Sequence, residues 1–152
     1  MRYYLIAGEA SGDLHAANCM HELKRIDAEA VFGFTGGERM EKEAGHSADI
    51  HIREMAFMGF IDVLKHIRKV SRNFRVVKKR IVAFRPHVLL LVDYPGFNLR
   101  MAKWATGKGI AVDYYISPTV WAWKESRVEK IRNYLATVVK QSNDSIYIHD
   151  HE

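Results

Sequence analysis

Residues 87–98, HVLLLVDYPGFN, constrain the fold more than any other part of the chain. After Pro86, residues Val88, Leu89, Leu90, Leu91 and Val92 form an unbroken apolar run. Successive strand side chains point to opposite faces, so a run without a polar member needs both faces covered. That describes a central strand of a parallel sheet with helices on both sides. Asp93 ends the run, and Tyr94-Pro95-Gly96 forces a turn. In open α/β sheets ligands bind beyond the carboxyl ends of the strands, which is where Asp93 falls. An Asp at this point can equally be the N-cap of the next helix.

The other segments fit that frame. Residues 3–7 form a β-rich run followed by Gly8-Glu9-Ala10-Ser11-Gly12-Asp13, the strand, Gly-rich turn and helix that open a Rossmann-like unit. The two glycines permit a tight turn and close approach of a ligand to the backbone. The third glycine of the dinucleotide fingerprint, the ending of a P-loop and the nucleophile elbow are all lacking. Ser11 and Gly12 offer a hydroxyl and backbone N–H groups at a helix N-terminus, suited to a phosphate or a sugar hydroxyl. A plain tight turn has the same spacing. Glu9 and Asp13 are carboxylates of the same turn. Asp13 can also cap its own helix; Glu9 has no such alternative.

A helix over 13–26 places Ala16, Cys19, Leu23 and Ile26 on one side. A strand over 31–35, Gly36-Gly37, a helix over 38–44 with Gly45 as its C-cap, and a weak strand over 49–52 follow. Ile61, Leu64, Ile67, Val70, Phe74, Val77, Ile81 and Phe84 then recur at steps of three and four. That is a long amphipathic helix, with a candidate break near Ser71 and a stop at Pro86. A helix over 98–108, a strand over 110–116, a helix over 125–135 and the start of a strand at 137–139 complete the pattern. The end, KQSNDSIYIHDHE, reads as a frayed tail with no partner element. Alternating strands and helices imply a parallel sheet with right-handed crossovers. The loops GEASGD, DYPGFN and SPTVWAW then share one edge and one crevice.

At 152 residues the chain is one domain, and 48% hydrophobic with 27% charged residues is ordinary for a globular protein. No apolar run approaches the ~20 residues of a membrane span. The start lacks a signal peptide, so a cytoplasmic protein is expected. Cys19 stands alone, which excludes an internal disulfide and suits a small buried hydrophobe. Net charge is +5, yet residues 65–85 carry nine Lys or Arg and no Asp or Glu; the rest sums to 5 − 9 = −4. Any anionic partner is therefore to be sought there.

Met55, Phe57, Met58 and Phe60 adjoin that segment, whose polar face carries Lys65, Arg68, Lys69 and Arg72. Apolar anchors beside cations suit acyl chains and anionic head groups. A core stripe with a solvated basic face is the alternative. Nucleic acid is not expected as a partner, because the phenylalanines of the basic segment, Phe74 and Phe84, lie on its apolar stripe. Trp121 and Trp123 share a face in an extended loop, where they could stack on a sugar, line an acyl-chain site or brace the last helix. Asn98 could bind sugar hydroxyls or cap the helix it begins. His149 and His151 lack a third ligand, so no metal is expected, and no cofactor.

AGEASGD, GGERM, MAFMGFIDVL, VDYPGFN and YISPTVWAWK with the following RVEKI, met in this order, resemble lipid-A-disaccharide synthase. The resemblance covers residues 1–137. It implies half of a two-domain inverting glycosyltransferase of the glycosyltransferase B type: a Rossmann-like, doubly wound parallel sheet on the acceptor side. The C-terminal domain that binds the UDP-sugar is absent from this chain, and residues 138–152 form a tail that departs from the family pattern. The implied reaction joins UDP-2,3-diacylglucosamine to 2,3-diacylglucosamine 1-phosphate, giving the β-1′,6-linked lipid A precursor and UDP. The implied place is the cytoplasmic face of the inner membrane, peripherally bound. Asp93 matches the position of the suspected base, with Glu9 and Asp13 as the competing carboxylates in the same crevice. Glu9, Ser11, Gly12, Asp13, Asn98, Ser117, Trp121 and Trp123 are the substrate candidates. The chain by itself is expected to be inactive. A non-catalytic module binding a nucleotide or lipid phosphate is the alternative.

Overall fold

The computed structural model describes residues 1–55, 67–115, 137–142 and 145–148, with side chains for 1–55 and 70–115. The expected features at Ile61, Leu64, the helix over 125–135, His149 and His151 lie outside the described residues or side chains. Strands β1 (Arg2–Ala7), β2 (Val31–Gly36), β3 (Ile50–His51), β4 (Val88–Val92), β5 (Ala111–Tyr115), β6 (Thr137–Ser142) and β7 (Ser145–Ile148) form one sheet. Its order is β3-β2-β1-β4-β5-β6-β7. The helices are α1 (Ala10–Ile26), α2 (Glu38–Ala44), α3 (Ile52–Met55), α4 (Ile67–Phe84) and α5 (Pro95–Thr106).

The apolar run does what its composition demands. β4 is central and pairs in parallel with β1, from Tyr3 opposite Val88 to Ala7 opposite Val92. Leu89 and Leu91 join Tyr4 and Ile6 of β1 in a core under α4 and α5, with Val77, Ile81, Met101 and Ala105. Leu90 and Val92 join Tyr3, Leu5 and Ala7 in a second core under α1 and α2, with Ala16, Met20 and Met40. Two cores on opposite faces make the sheet doubly wound.

Pairings from β3 through β6 are all parallel, and β7 runs antiparallel to β6. The expected frayed tail is thus corrected. Residues 137–142 and 145–148 close a hairpin on the sheet edge, and a boundary at 137 would fall at the start of β6. α4 continues through Ser71 without a break. α5 begins at Pro95 rather than Asn98: proline is well suited to the first helical position, because its missing N–H has no partner there. Gly45 ends α2 in the left-handed conformation, as expected. Ile26 departs from expectation: it is 81% exposed at the end of α1, beyond the sheet that the helix covers.

Candidate active site

The chain winds from β1 outward to β3, then returns to place β4 on the other side of β1. Between β1 and β4 the direction of winding reverses, and the loops that leave these neighbouring strands part to opposite faces. Such a switch point is where doubly wound sheets hold ligands. The loops there are GEASGD and DYPGFN. They meet at Gly8, where a Cβ would stand 2.4 Å from the Tyr94 ring, so only glycine fits beneath that tyrosine. Gly8 serves packing of the protein on itself, and a Cβ at Gly12 would make only an ordinary contact with Ala7 at 3.4 Å. Burial, with the nearby charge of Glu9, pushes the Tyr94 phenol up to about 12.

Asp93 is half-buried at the end of β4. The N-cap of α5 is Tyr94, with no side-chain cap, so Asp93 does not cap that helix. Its carboxylate has no hydrogen bond or ion pair with the described residues, whereas its backbone is firmly held. Asp93 and Tyr94 have φ of 49° and 52°, two successive left-handed residues without glycine. Each costs roughly 1–2 kcal/mol in an L-residue. Three groups fix the turn. Tyr114 Oη donates to the Asp93 carbonyl at 2.5 Å, Asn98 Nδ2 donates to it at 2.7 Å, and the Asp93 N–H donates to the Tyr115 carbonyl at 3.4 Å. At about 0.5–1.5 kcal/mol each, bonds of this kind are of the right size to offset the strain.

Asn98 is wholly buried, which corrects both expectations for it: it neither faces a ligand nor begins a helix. Its Nδ2 also lies 3.3 Å from the Val92 carbonyl and 3.4 Å from that of Ile6, bridging β1 and β4 at the switch point. Three carbonyls fix the amide's orientation, since its oxygen would be repelled there. That oxygen has no partner among the described residues.

Asp13 does not cap its own helix. Its buried carboxylate accepts from the N–H groups of Gly37 at 2.7 Å, Arg39 at 3.1 Å and Met40 at 3.2 Å. It caps α2 from α1. A Cβ on Gly37 would sit 2.8 Å from Asp13 Oδ2, so AGEASGD and GGERM are two halves of one contact. This removes Asp13 from the surface available to a ligand. Glu9 and Ser11 remain exposed at the start of α1, and Gly12 is buried in its first turn. Glu9 makes no side-chain cap, and the first turn closes with the Asp13 N–H on the Glu9 carbonyl at 2.9 Å. The earlier N–H groups of that turn precede any intrahelical partner.

Met55 is fully buried in the α4 and α5 core, with no surface for a bilayer. Arg72 is exposed. Phe57, Met58, Phe60, Lys65, Ser117, Trp121 and Trp123 lie outside the described residues, and so do the side chains of Arg68 and Lys69. Among the described residues no three His, Cys, Asp or Glu stand close enough to hold a metal ion. Nor is any described helix long and apolar enough to cross a membrane. Tyr94 and Tyr114 were not singled out from the sequence. A glycine under a tyrosine was the available hint for Tyr94. For Tyr114 it was strand alternation, which sets Tyr114 opposite Leu91 on the α5 face.

A doubly wound parallel sheet whose winding reverses between β1 and β4 defines a Rossmann-like domain. Solved structures share that fold. The UDP-GlcNAc 2-epimerase of Neisseria meningitidis, bound to UDP-GlcNAc, matches with a TM-score of 0.61 at 12% identity, over 92% of this chain and 40% of its own. A UDP-N-acetylglucosamine 2-epimerase from Listeria monocytogenes matches with a TM-score of 0.63 at 9% identity, over 91% and 38%. The chain belongs to the lipid-A-disaccharide synthetase family, whose profile matches residues 3–140. It is 45% identical over 130 residues to the lipid-A-disaccharide synthase of Geobacter sulfurreducens, covering 86% of this chain and 34% of that protein. It is 39% identical over 131 residues to that of Coxiella burnetii, covering 86% and 35%. The chain thus spans about a third of the length of these relatives.

Proposed function

We propose that this chain is the acceptor-side domain of a lipid-A-disaccharide synthase. The carrying observation is Asp93, a half-buried carboxylate free of described partners at the switch point. In the proposed reaction Asp93 takes the proton of the acceptor hydroxyl of 2,3-diacylglucosamine 1-phosphate. The oxygen attacks the anomeric carbon of UDP-2,3-diacylglucosamine from the face opposite UDP. The new glycosidic bond forms as the bond to UDP breaks, and the configuration inverts. A carboxylate held at the crevice edge suits a general base. Glu9 and Ser11, exposed on the neighbouring loop, and the free N–H groups of the first turn of α1 would bind sugar hydroxyls or the acceptor phosphate. Ser117, Trp121 and Trp123, which follow β5 in the sequence, are further candidates for substrate binding in this reading. The UDP-sugar is held mainly by a C-terminal domain outside this chain. The protein works peripherally on the inner face of the inner membrane, with Phe57, Met58, Phe60 and the basic start of α4 toward the lipid.

The test joins this chain to the C-terminal two thirds of the Geobacter sulfurreducens relative and measures steady-state transfer from the UDP-sugar. The 152-residue chain alone is expected to show none. Asp93→Asn in the joined protein is expected to lower kcat by about 10²–10⁴-fold, the usual worth of a general base, at an unchanged melting temperature. Asn keeps the shape and the turn but cannot accept the proton. Near-normal turnover in Asp93→Asn would move the base to Glu9. A non-catalytic module that binds a nucleotide or lipid phosphate would leave the joined protein without transfer.

A further inference from the structure

The bonds at the end of β4 do not touch the Asp93 carboxylate. They grip the carbonyl of the same residue, from two elements: Tyr114 Oη of β5 at 2.5 Å and Asn98 Nδ2 of α5 at 2.7 Å. This carbonyl belongs to the peptide that links the two left-handed residues. Fixing its plane fixes ψ of Asp93 and φ of Tyr94, the only soft torsions beside it. The direction in which Cα–Cβ of Asp93 leaves the strand is thereby set. A relaxed turn, with either residue back in the right-handed or extended region, would swing the carboxylate elsewhere on the crevice edge.

We infer that Asn98 and Tyr114 are positioning residues for Asp93, acting as a two-armed clamp on its carbonyl. The inference rests on the reading of Asp93 as the base. Asn98 suits the task because it bridges the carbonyls of Ile6 and Val92 as well, so the clamp is referenced to both strands at the switch point. Tyr114 suits it because its ring is wholly buried and cannot shift. Burial and the nearby Asp93 charge keep its phenol protonated well above the ordinary tyrosine range, so it remains a donor. A purely structural turn would need only that the chain change direction. Glycine at 93 or 94 would achieve that without strain. Two side chains holding an L-residue in this region keep a functional side chain where glycine could not.

The test has a structural and a kinetic arm. In the 152-residue chain, NMR should show strong intraresidue HN–Hα contacts at Asp93 and Tyr94, the mark of positive φ. Tyr114→Phe, which removes only the hydroxyl, should weaken them while the rest of the spectrum stays in place. Asn98→Ala should weaken them further. Unchanged contacts in both folded variants would overturn the clamp. In the joined protein, Tyr114→Phe should lower kcat by about 10- to 100-fold with KM for both substrates held within about twofold. In an Asp93→Asn background the same change should have no further effect, because the clamp acts through Asp93 alone. Additive losses would overturn the inference and assign Tyr114 a separate role. If Asp93→Asn cuts turnover and Tyr114→Phe and Asn98→Ala do not, the clamp fails while the base reading stands. If Asp93→Asn retains turnover, the base reading fails, and with it the positioning role.

Discussion

At the scale of single residues, polar side chains in this fold divide by what they hold. Asp13 holds an element. Its three bonds to the start of α2 satisfy N–H groups that the helix cannot satisfy itself. Loss of an N-cap costs about 0.5–2 kcal/mol, and bonds to a charged group are worth about 1.5–3 kcal/mol each. Asp13→Ala is therefore expected to destabilise the chain by about 3 kcal/mol in a denaturant titration. Asp13→Asn should cost less, since one oxygen can still serve Gly37 and Met40. Equal stability of wild type and Asp13→Ala would show that α2 does not depend on this cap. The sequence placed Asp13 at the right turn but on the wrong helix. Capping across elements leaves no spacing to read, whereas capping within one does. Asn98 was misplaced for a related reason. The sequence assigns the turn to Tyr94-Pro95-Gly96, yet Asp93 and Tyr94 make it, which draws Pro95 into α5 and Asn98 into the interior.

Elements were legible where their burial is one-sided or complete. β4 could be read from its leucines alone, because covering both faces leaves no other place for them. α4 could be read from Val77, Ile81 and the half-buried Phe74 and Phe84 on one side against Arg72 and Lys79 on the other. The hairpin β6–β7 could not, since short strands at an edge carry little apolar pattern. The polar side of α4 also shows that charge count is not free charge. Arg80 lies 3.6 Å from Asp49, and Lys78 rests over the rings of Phe74 and Trp104 at 4.4 and 5.1 Å. Charges toward the start of α4 are then the better candidates for a lipid surface. Reversal of Lys65, Arg68, Lys69 and Arg72 to glutamate should weaken binding of the chain to anionic vesicles by about 1 kcal/mol per charge. The difference should shrink as salt is added. Reversal of Lys78 and Arg80 instead should do less. Equal vesicle binding by the folded reversal variant would leave the basic face as a solvated surface.

For the whole molecule, the sheet is bound together on its α4 and α5 face by buried phenols. Tyr4 of β1 donates to Asp49 at 2.9 Å, and Tyr114 of β5 donates to the turn after β4. Both rings are wholly buried. Burial, with Asp49 beside Tyr4 and Asp93 beside Tyr114, raises both above the ordinary value of 10.0. Tyr94 is raised to about 12 by burial and by Glu9. The sign of the consequence follows from proton counts. Above pH 10 the unfolded chain releases these protons while the folded one keeps them, so the folded state binds more and stability falls as pH rises. Below pH 10 both states are protonated and this contribution is complete. Each such group contributes a slope of about 1.4 kcal/mol per pH unit between its unfolded and folded values. Tyr4 and Tyr114 together give about 3 kcal/mol per unit, against a total stability on the order of 5–15 kcal/mol. Thermal melting is thus expected to be level from neutral pH to about 9.5 and to drop steeply above 10. Tyr4→Phe should lower stability at neutral pH, through loss of the bond to Asp49, yet flatten the alkaline fall, because one of the protons no longer exists. The two melting curves should therefore converge as pH rises. Parallel curves would mean that Tyr4 ionises in the folded protein as freely as in the unfolded one, and that the face of the sheet carrying the Asp93 turn is open to water.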